Sequence, residues 1–169
     1  HADWGPIIFL DTPGIFSPAS LLDKSLVQAA LGTLREVNLI LVLIEPFPGR
    51  DLLPDLLLNH LKTMAAPVFL LINKVDLVKK KDLLPRLEVG AALFPFKEII
   101  PLSALTRDGL DLLERKIREN LPEGPAYFPE DMITDLPEQF LVEELIREKV
   151  FRLTSEEVPY AVAVTVDSF

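Results

Sequence analysis

Cysteine is absent from the 169 residues, which excludes both a disulfide framework and a thiolate metal site. Positive charge is in deficit: 17 Lys and Arg stand against 26 Asp and Glu, for a formal net charge of −9. That balance argues against a large phosphate-neutralising surface. It leaves nucleotide binding open, since backbone amides and a bound cation can hold phosphates. Apolar runs reach only strand length, well short of the roughly 20 residues a membrane span needs. The opening residues His1-Ala2-Asp3-Trp4 contain no initiator Met and no signal-peptide pattern, so the chain is expected to be a piece of a longer protein. His60 lies in a leucine-rich stretch with no second His or acid cluster beside it, and reads as a surface or interface residue rather than a metal ligand.

The apolar fraction is 49%, enough for one well-cored domain and part of another. Fifteen prolines cluster at the edges of apolar segments rather than forming low-complexity tracts. Four short apolar runs are strand candidates: residues 7–10, 39–44, 68–72 and 98–102. They are continuous rather than alternating, as expected of strands covered on both faces of a parallel sheet. Helical patterns separate them. Leu22, Leu26, Val27, Ala30, Leu34 and Val37 share one stripe, a leucine-rich helix is expected over 51–64, and others over 82–94 and 109–120. Such alternation predicts a mostly parallel, doubly wound α/β sheet. Residues 121–137 are acidic and carry Pro122, Pro125, Pro129 and Pro137, the composition of an interdomain linker. Beyond them, residues 138–153 read as an amphipathic helix and 160–166 as a strand.

Ligands of such sheets bind beyond the carboxyl ends of the strands, and three polar segments fall there. Asn73-Lys74-Val75-Asp76 follows the run Val68-Phe69-Leu70-Leu71-Ile72. The Asp76 carboxylate can accept from both N1–H and the 2-amino group of guanine, whereas adenine would leave it unpaired. Asn73 can contact the base edge and tie neighbouring loops, and the Lys74 stem can lie over the base plane. Chance supplies this pattern in roughly 2% of chains of this length, although an ordinary polar turn has the same composition. Asp11-Thr12-Pro13-Gly14 is common by chance and is read alone as an Asp-capped proline turn. Alternatively, Asp11 is a hard oxygen ligand for Mg²⁺, through water, and the Gly14 N–H meets a γ-phosphate. Ser103-Ala104-Leu105 is weakest; the small Ala104 would let backbone approach a ligand, with its N–H meeting guanine O6.

Order and spacing make the three segments similar to the G-motif series of P-loop GTPases, and to the translation-factor-related class in particular. The stretches Tyr127-Phe128-Pro129-Glu130-Asp131, Ile133-Thr134-Asp135, Glu144-Leu145-Ile146-Arg147-Glu148-Lys149 and Glu157-Val158-Pro159-Tyr160-Ala161-Val162 narrow this. With them the whole chain resembles the Era family, GTPases with a C-terminal KH domain. The resemblance implies a GTPase domain over 1–120, a linker over 121–137 and the start of an α+β KH domain over 138–169. It implies a GTP-hydrolysing switch that binds 16S rRNA and assists assembly of the small (30S) ribosomal subunit. The implied protein works with Mg²⁺ and GTP or GDP, is monomeric, and is cytoplasmic with some peripheral contact at the inner face of the cell membrane. Asp11, Thr12, Pro13, Gly14 and Ile15 would correspond to the Mg²⁺- and γ-phosphate-sensing segment. Asn73, Lys74, Val75 and Asp76 would read guanine, with Ser103, Ala104 and Leu105 as the supporting loop. Ile15 stands where many GTPases place the water-orienting Gln, so slow intrinsic hydrolysis is expected and no catalytic residue is assigned.

The departures are equally specific. No G-x-x-x-x-G-K-[ST] occurs, so the phosphate cradle is absent from these residues. The switch I threonine region and the KH G-x-x-G loop are absent as well. In this family's sheet a further strand separates the strands expected at 7–10 and 39–44, so a central gap is expected here. Alone, the chain is expected neither to hydrolyse GTP nor to bind RNA specifically. Two other readings compete: a degenerate GTPase-like interaction scaffold without turnover, and a GTPase of the tRNA-modification or double-domain type. Lys79-Lys80-Lys81 is read as a solvated loop rather than an RNA-binding patch.

Overall fold

The computed structural model describes residues 7–12, 31–47, 52–124, 137–154 and 163–166. The chain divides into two compact units, His1–Gly124 and Pro125–Phe169. In the first, three parallel strands alternate with helices: β1 (Ile40–Ile44), α1 (Asp55–Leu61), β2 (Val68–Ile72), α2 (Lys80–Leu93), β3 (Glu98–Pro101) and α3 (Leu110–Asn120). The strand order is β1-β2-β3, with Ile40 opposite Val68, Ile44 opposite Ile72, and Ile72 in turn opposite Pro101.

The central strand explains the architecture. All five residues of β2 are buried, and alternate ones enter different cores. Val68 and Leu70 pack with Ile40, Val42 and the α1 residues Leu57, Leu58 and Leu61, with Leu93 of α2 alongside. Phe69 and Leu71 pack with Ile100, Leu102 and Ile117 of α3, flanked by Leu110 and Leu113. Helices therefore cover both faces, and continuous hydrophobicity follows from a strand with no solvent side. The α/β class and the parallel, doubly wound arrangement are as the sequence predicts.

Several boundaries shift for local reasons. The helix expected from 51 begins at Asp55, because Pro54 disfavours helical geometry at Leu53. Of the stripe beginning at Leu22, the described part is a helical end at 31–33 that buries Leu31 and closes with Arg35 N–H donating to Gly32 O. His60 is half-buried on α1, with Nδ1 3.0 Å from the Leu56 carbonyl oxygen. Lys79, Lys80 and Lys81 are exposed as expected, but they are not a loop: Lys79 caps α2, and Lys80 and Lys81 form its first turn, two residues before the expected start at 82.

Two expected strands do not form among the described residues. Residues 7–10 have no ladder partner, and Ile8, Phe9 and Leu10 are exposed. Their apolar run has strand composition, but a strand is a property of a pair, and β1 has a neighbour only on its β2 side among the described residues. Of the run at 160–166, residues 163–166 are described and are likewise not a strand.

In the second unit, α4 (Glu138–Thr154) is the described element. Side chains of α4 hold Val166 from both sides of its peptide. Gln139 Nε2 donates to its carbonyl, and its N–H donates to Glu143 Oε1 at 3.0 Å. Those bonds take the place of a sheet ladder at that residue.

In the first unit, Lys116 of α3 ties that helix to β3. Its ammonium lies 2.9 Å from Glu98 Oε1 and 3.2 Å from Glu119 Oε2. The hydrogen bond to Glu98, then that to Glu119, raises the Lys116 pKa above its ordinary 10.5. A raised lysine pKa stabilises the fold fully below the ordinary value, and the contribution is lost as pH climbs through the raised one. Lys116→Met should thus lower Tm at neutral pH and shrink the further loss of Tm seen on titration above 10.5. Parallel Tm-against-pH curves for the two proteins would contradict this.

Candidate functional site

The carboxyl ends of the three strands carry the site. Asn73 follows β2 directly, and its N–H donates to the Ile44 carbonyl at the end of β1, 2.8 Å away. Its side-chain Oδ1 accepts two backbone bonds, from Lys74 N–H at 2.8 Å and Ala104 N–H at 3.0 Å. An amide oxygen has two lone pairs, so both are spent: one bond folds the loop after β2 onto itself at Lys74, and the other ties it to the loop after β3 at Ala104. A second tie between the loops, Val75 N–H to Leu102 O at 3.2 Å, runs alongside. Lys74 is held in left-handed backbone geometry (φ 63°), costly for a side chain with a Cβ and persistent only where the surroundings enforce it. The chain then enters a 3₁₀ turn, Val75–Leu77, whose middle residue Asp76 is exposed.

The second loop is closed on itself. Ser103 is fully buried; its N–H donates to Asp108 O at 2.9 Å, and its Oγ accepts from Thr106 N–H at 3.2 Å. Arg107 (φ 67°) and Gly109 (φ 78°) turn the chain back into α3. Ala104 and Leu105 project from this turn, exposed. The Ala104 N–H, expected to meet a base carbonyl, already donates to Asn73 Oδ1, so a ligand oxygen would have to share or displace that bond.

Two of the three sequence segments thus meet. Asp11 is exposed and Thr12 half-buried, and no hydrogen bond or ion pair ties either to the loops at 73–76 or 103–105. Pro13, Gly14 and Ile15 lie outside the described residues. No three His, Cys, Asp or Glu side chains among the described residues gather as a metal cage. A single carboxylate such as Asp11 nevertheless suits Mg²⁺, which keeps several waters and takes substrate phosphates as its other ligands.

Sequence reasoning missed Glu45. It follows β1 immediately, and its carboxylate forms an ion pair with the Lys74 ammonium. The one available signal was position: Glu45 begins the break after a buried strand, on the same edge as Asn73. Gly109 was assigned only as a helix start. A Cβ there would come 2.7 Å from the Pro101 carbonyl oxygen, so the glycine is what lets β3 and the second loop pack.

No protein-family model matches the chain. Over 163 residues, 96% of its length, it is 50% identical to GTPase Era of Geotalea daltonii and equally to that of Geotalea uraniireducens. Over 165 residues it is 50% identical to GTPase Era of Geobacter metallireducens. It spans 55% of the length of each of these relatives. Among solved structures, Era in complex with MgGDPNP and nucleotides 1506–1542 of 16S ribosomal RNA matches with a TM-score of 0.81 at 41% identity, over 95% of this chain and 55% of that one. Aquifex aeolicus Era bound to GDP.AlF4⁻ matches at 0.79 and 41%, with the same coverage. Translation elongation factor SelB from Methanococcus maripaludis, at 0.55 and 19% identity, shares the fold alone over 73% of this chain and 26% of its own. Across the part of those proteins that it spans, the chain belongs to the Era family of GTPases.

Proposed function

We propose that this chain supplies the guanine-reading part of a GTP-hydrolysing switch that binds 16S rRNA and assists assembly of the small ribosomal subunit. The observation that carries the reading is the double acceptor role of Asn73 Oδ1, which locks the loops after β2 and β3 together with Asp76 exposed beside them. A base recognised by Asp76 would then meet a preformed edge, and preformed sites avoid the ordering cost of binding. Asp76 accepts from the base, the Lys74 stem covers its plane, and Ser103, Ala104 and Leu105 shape the rim. At the phosphate end Asp11 would hold Mg²⁺ through water, with Thr12, Pro13, Gly14 and Ile15 as the segment that senses the γ-phosphate. The ion, when bound, neutralises charge on the phosphate oxygens. Ile15 has no group able to orient water, so intrinsic turnover is slow.

Residues 1–120 belong to the GTPase domain, 121–137 to a linker, and 138–169 to the first helix and strand of a KH domain through which RNA is bound. The MgGDPNP and 16S rRNA bound to the related Era structure support this reading, as does the 50% identity to GTPase Era. No helix among the described residues is long and apolar enough to cross a membrane. We place the protein in the cytoplasm as a monomer, with peripheral contact at the inner membrane face.

The test compares two proteins for phosphate release from GTP. An intact Era-family protein carrying this sequence should turn over GTP slowly and ATP not at all, and the 169-residue chain alone should release no phosphate. Turnover by the isolated chain, or equal use of ATP by the intact protein, would refute the reading.

A further inference from the structure

The ion pair between Glu45 and Lys74 lies outside every role assigned above, and three observations set it apart from an ordinary surface pair. Glu45 is anchored on both sides. The residue before it, Ile44, pairs with Ile72 in the sheet and accepts the Asn73 N–H at 2.8 Å. The residue after it, Pro46, is fully buried, and a following proline restricts Glu45 to extended backbone. Lys74 is anchored too, in left-handed geometry with its N–H on Asn73 Oδ1. An exposed ion pair usually contributes little because two long side chains must be ordered to make it. Here both backbones are fixed by the ends of β1 and β2, and what remains to be ordered is the side chains themselves.

Resting on the guanine-recognition reading, we propose that Glu45 is a positioning residue for the base. By holding the Lys74 ammonium at the end of β1, it sets the direction of the four-carbon stem that spans the gap between the two strand ends. A stem held in one direction offers a flat apolar platform to a purine; a free one must be ordered on each binding event. Glu45 touches no ligand in this scheme and acts only through Lys74. Both side chains are about half exposed (50% for Lys74, 51% for Glu45), so the coupling should be screened by salt.

The experiment measures binding of fluorescent N-methylanthraniloyl-GDP to the intact protein, at low salt and at high salt. Glu45→Gln should weaken affinity roughly three- to fivefold at low salt, mainly by faster release, and the gap to the unaltered protein should close at high salt. In a Lys74→Met background, which keeps an apolar stem without the ammonium, Glu45→Gln should have no effect. Unchanged affinity of Glu45→Gln, or an equal loss in the Lys74→Met background, overturns the proposal while leaving the guanine reading intact. Failure of the unaltered protein to bind the GDP probe overturns both.

Discussion

Asp76→Asn should turn a preference for guanine nucleotides into one for xanthine nucleotides. In the proposed pose the carboxylate accepts from N1–H and from the 2-amino group at once. An amide in its place can accept one of these bonds but presents N–H to the other donor, so one bond is lost and two donors face each other. Hydrogen bonds to charged groups contribute about 1.5–3 kcal/mol each, so losing one costs roughly 1.5–3 kcal/mol, or about 10–10²-fold in GDP affinity, and the facing donors add to it. Xanthine has a carbonyl where guanine has the amino group, and the amide pairs with it as donor while still accepting from N1–H. Competition binding of GDP, XDP and ADP to the intact variant measures this. Asp76 is exposed on a 3₁₀ turn and Asn73, not Asp76, ties the loops, so the variant should keep the wild-type Tm. A variant with GDP affinity intact would remove Asp76 from the site.

Gly109→Ala should produce the largest loss of stability among loop substitutions at this edge. Two costs add. The residue sits at φ 78°, where a residue with a Cβ loses roughly 1–2 kcal/mol. The new Cβ would also lie 2.7 Å from the Pro101 carbonyl oxygen and 3.0 Å from Leu102 Cβ, and backbone cannot swing aside as a side-chain tip can. Together these should cost about 2–4 kcal/mol, a fall in Tm on the order of 10 °C for a unit of this size. Gly109→Asn separates the two terms. Asparagine tolerates left-handed geometry, so it should recover little if the contact with Pro101 dominates. Full recovery by Asn would locate the whole cost in the backbone angle. Wild-type Tm for Gly109→Ala would show that the turn is not packed as described.

How much of this was legible in the sequence depends on the range of the contacts involved. The central strand was readable because its five apolar residues are bounded by Pro67 and Asn73, and burial on both faces leaves no other composition available. Residues 7–10 carry the same signal and form no strand, since pairing depends on a neighbour far along the chain. Asn73 and Asp76 could be singled out from local order. The partner that gives Asn73 its structural role, Ala104, is 31 residues away, and the pair Glu45–Lys74 is separated by 29. No periodicity encodes either distance. The left-handed turn at Gly109 was hidden for the opposite reason: a glycine before an amphipathic stretch looks like a plain helix start, and only the proximity of Pro101 shows why glycine stands there.

The central claim is that the joined loops at 73–76 and 103–105 recognise guanine. The most direct measurement is a titration of the ¹⁵N-labelled intact protein with GDP and, separately, with ADP, following the backbone amide resonances of Lys74 and Ala104. Both amides donate to Asn73 Oδ1 and therefore report on the junction itself. GDP should shift both and saturate at one equivalent, while ADP at the same concentrations should leave them in place. Saturable GDP binding that moves neither amide, or equal shifts with ADP, would contradict the account.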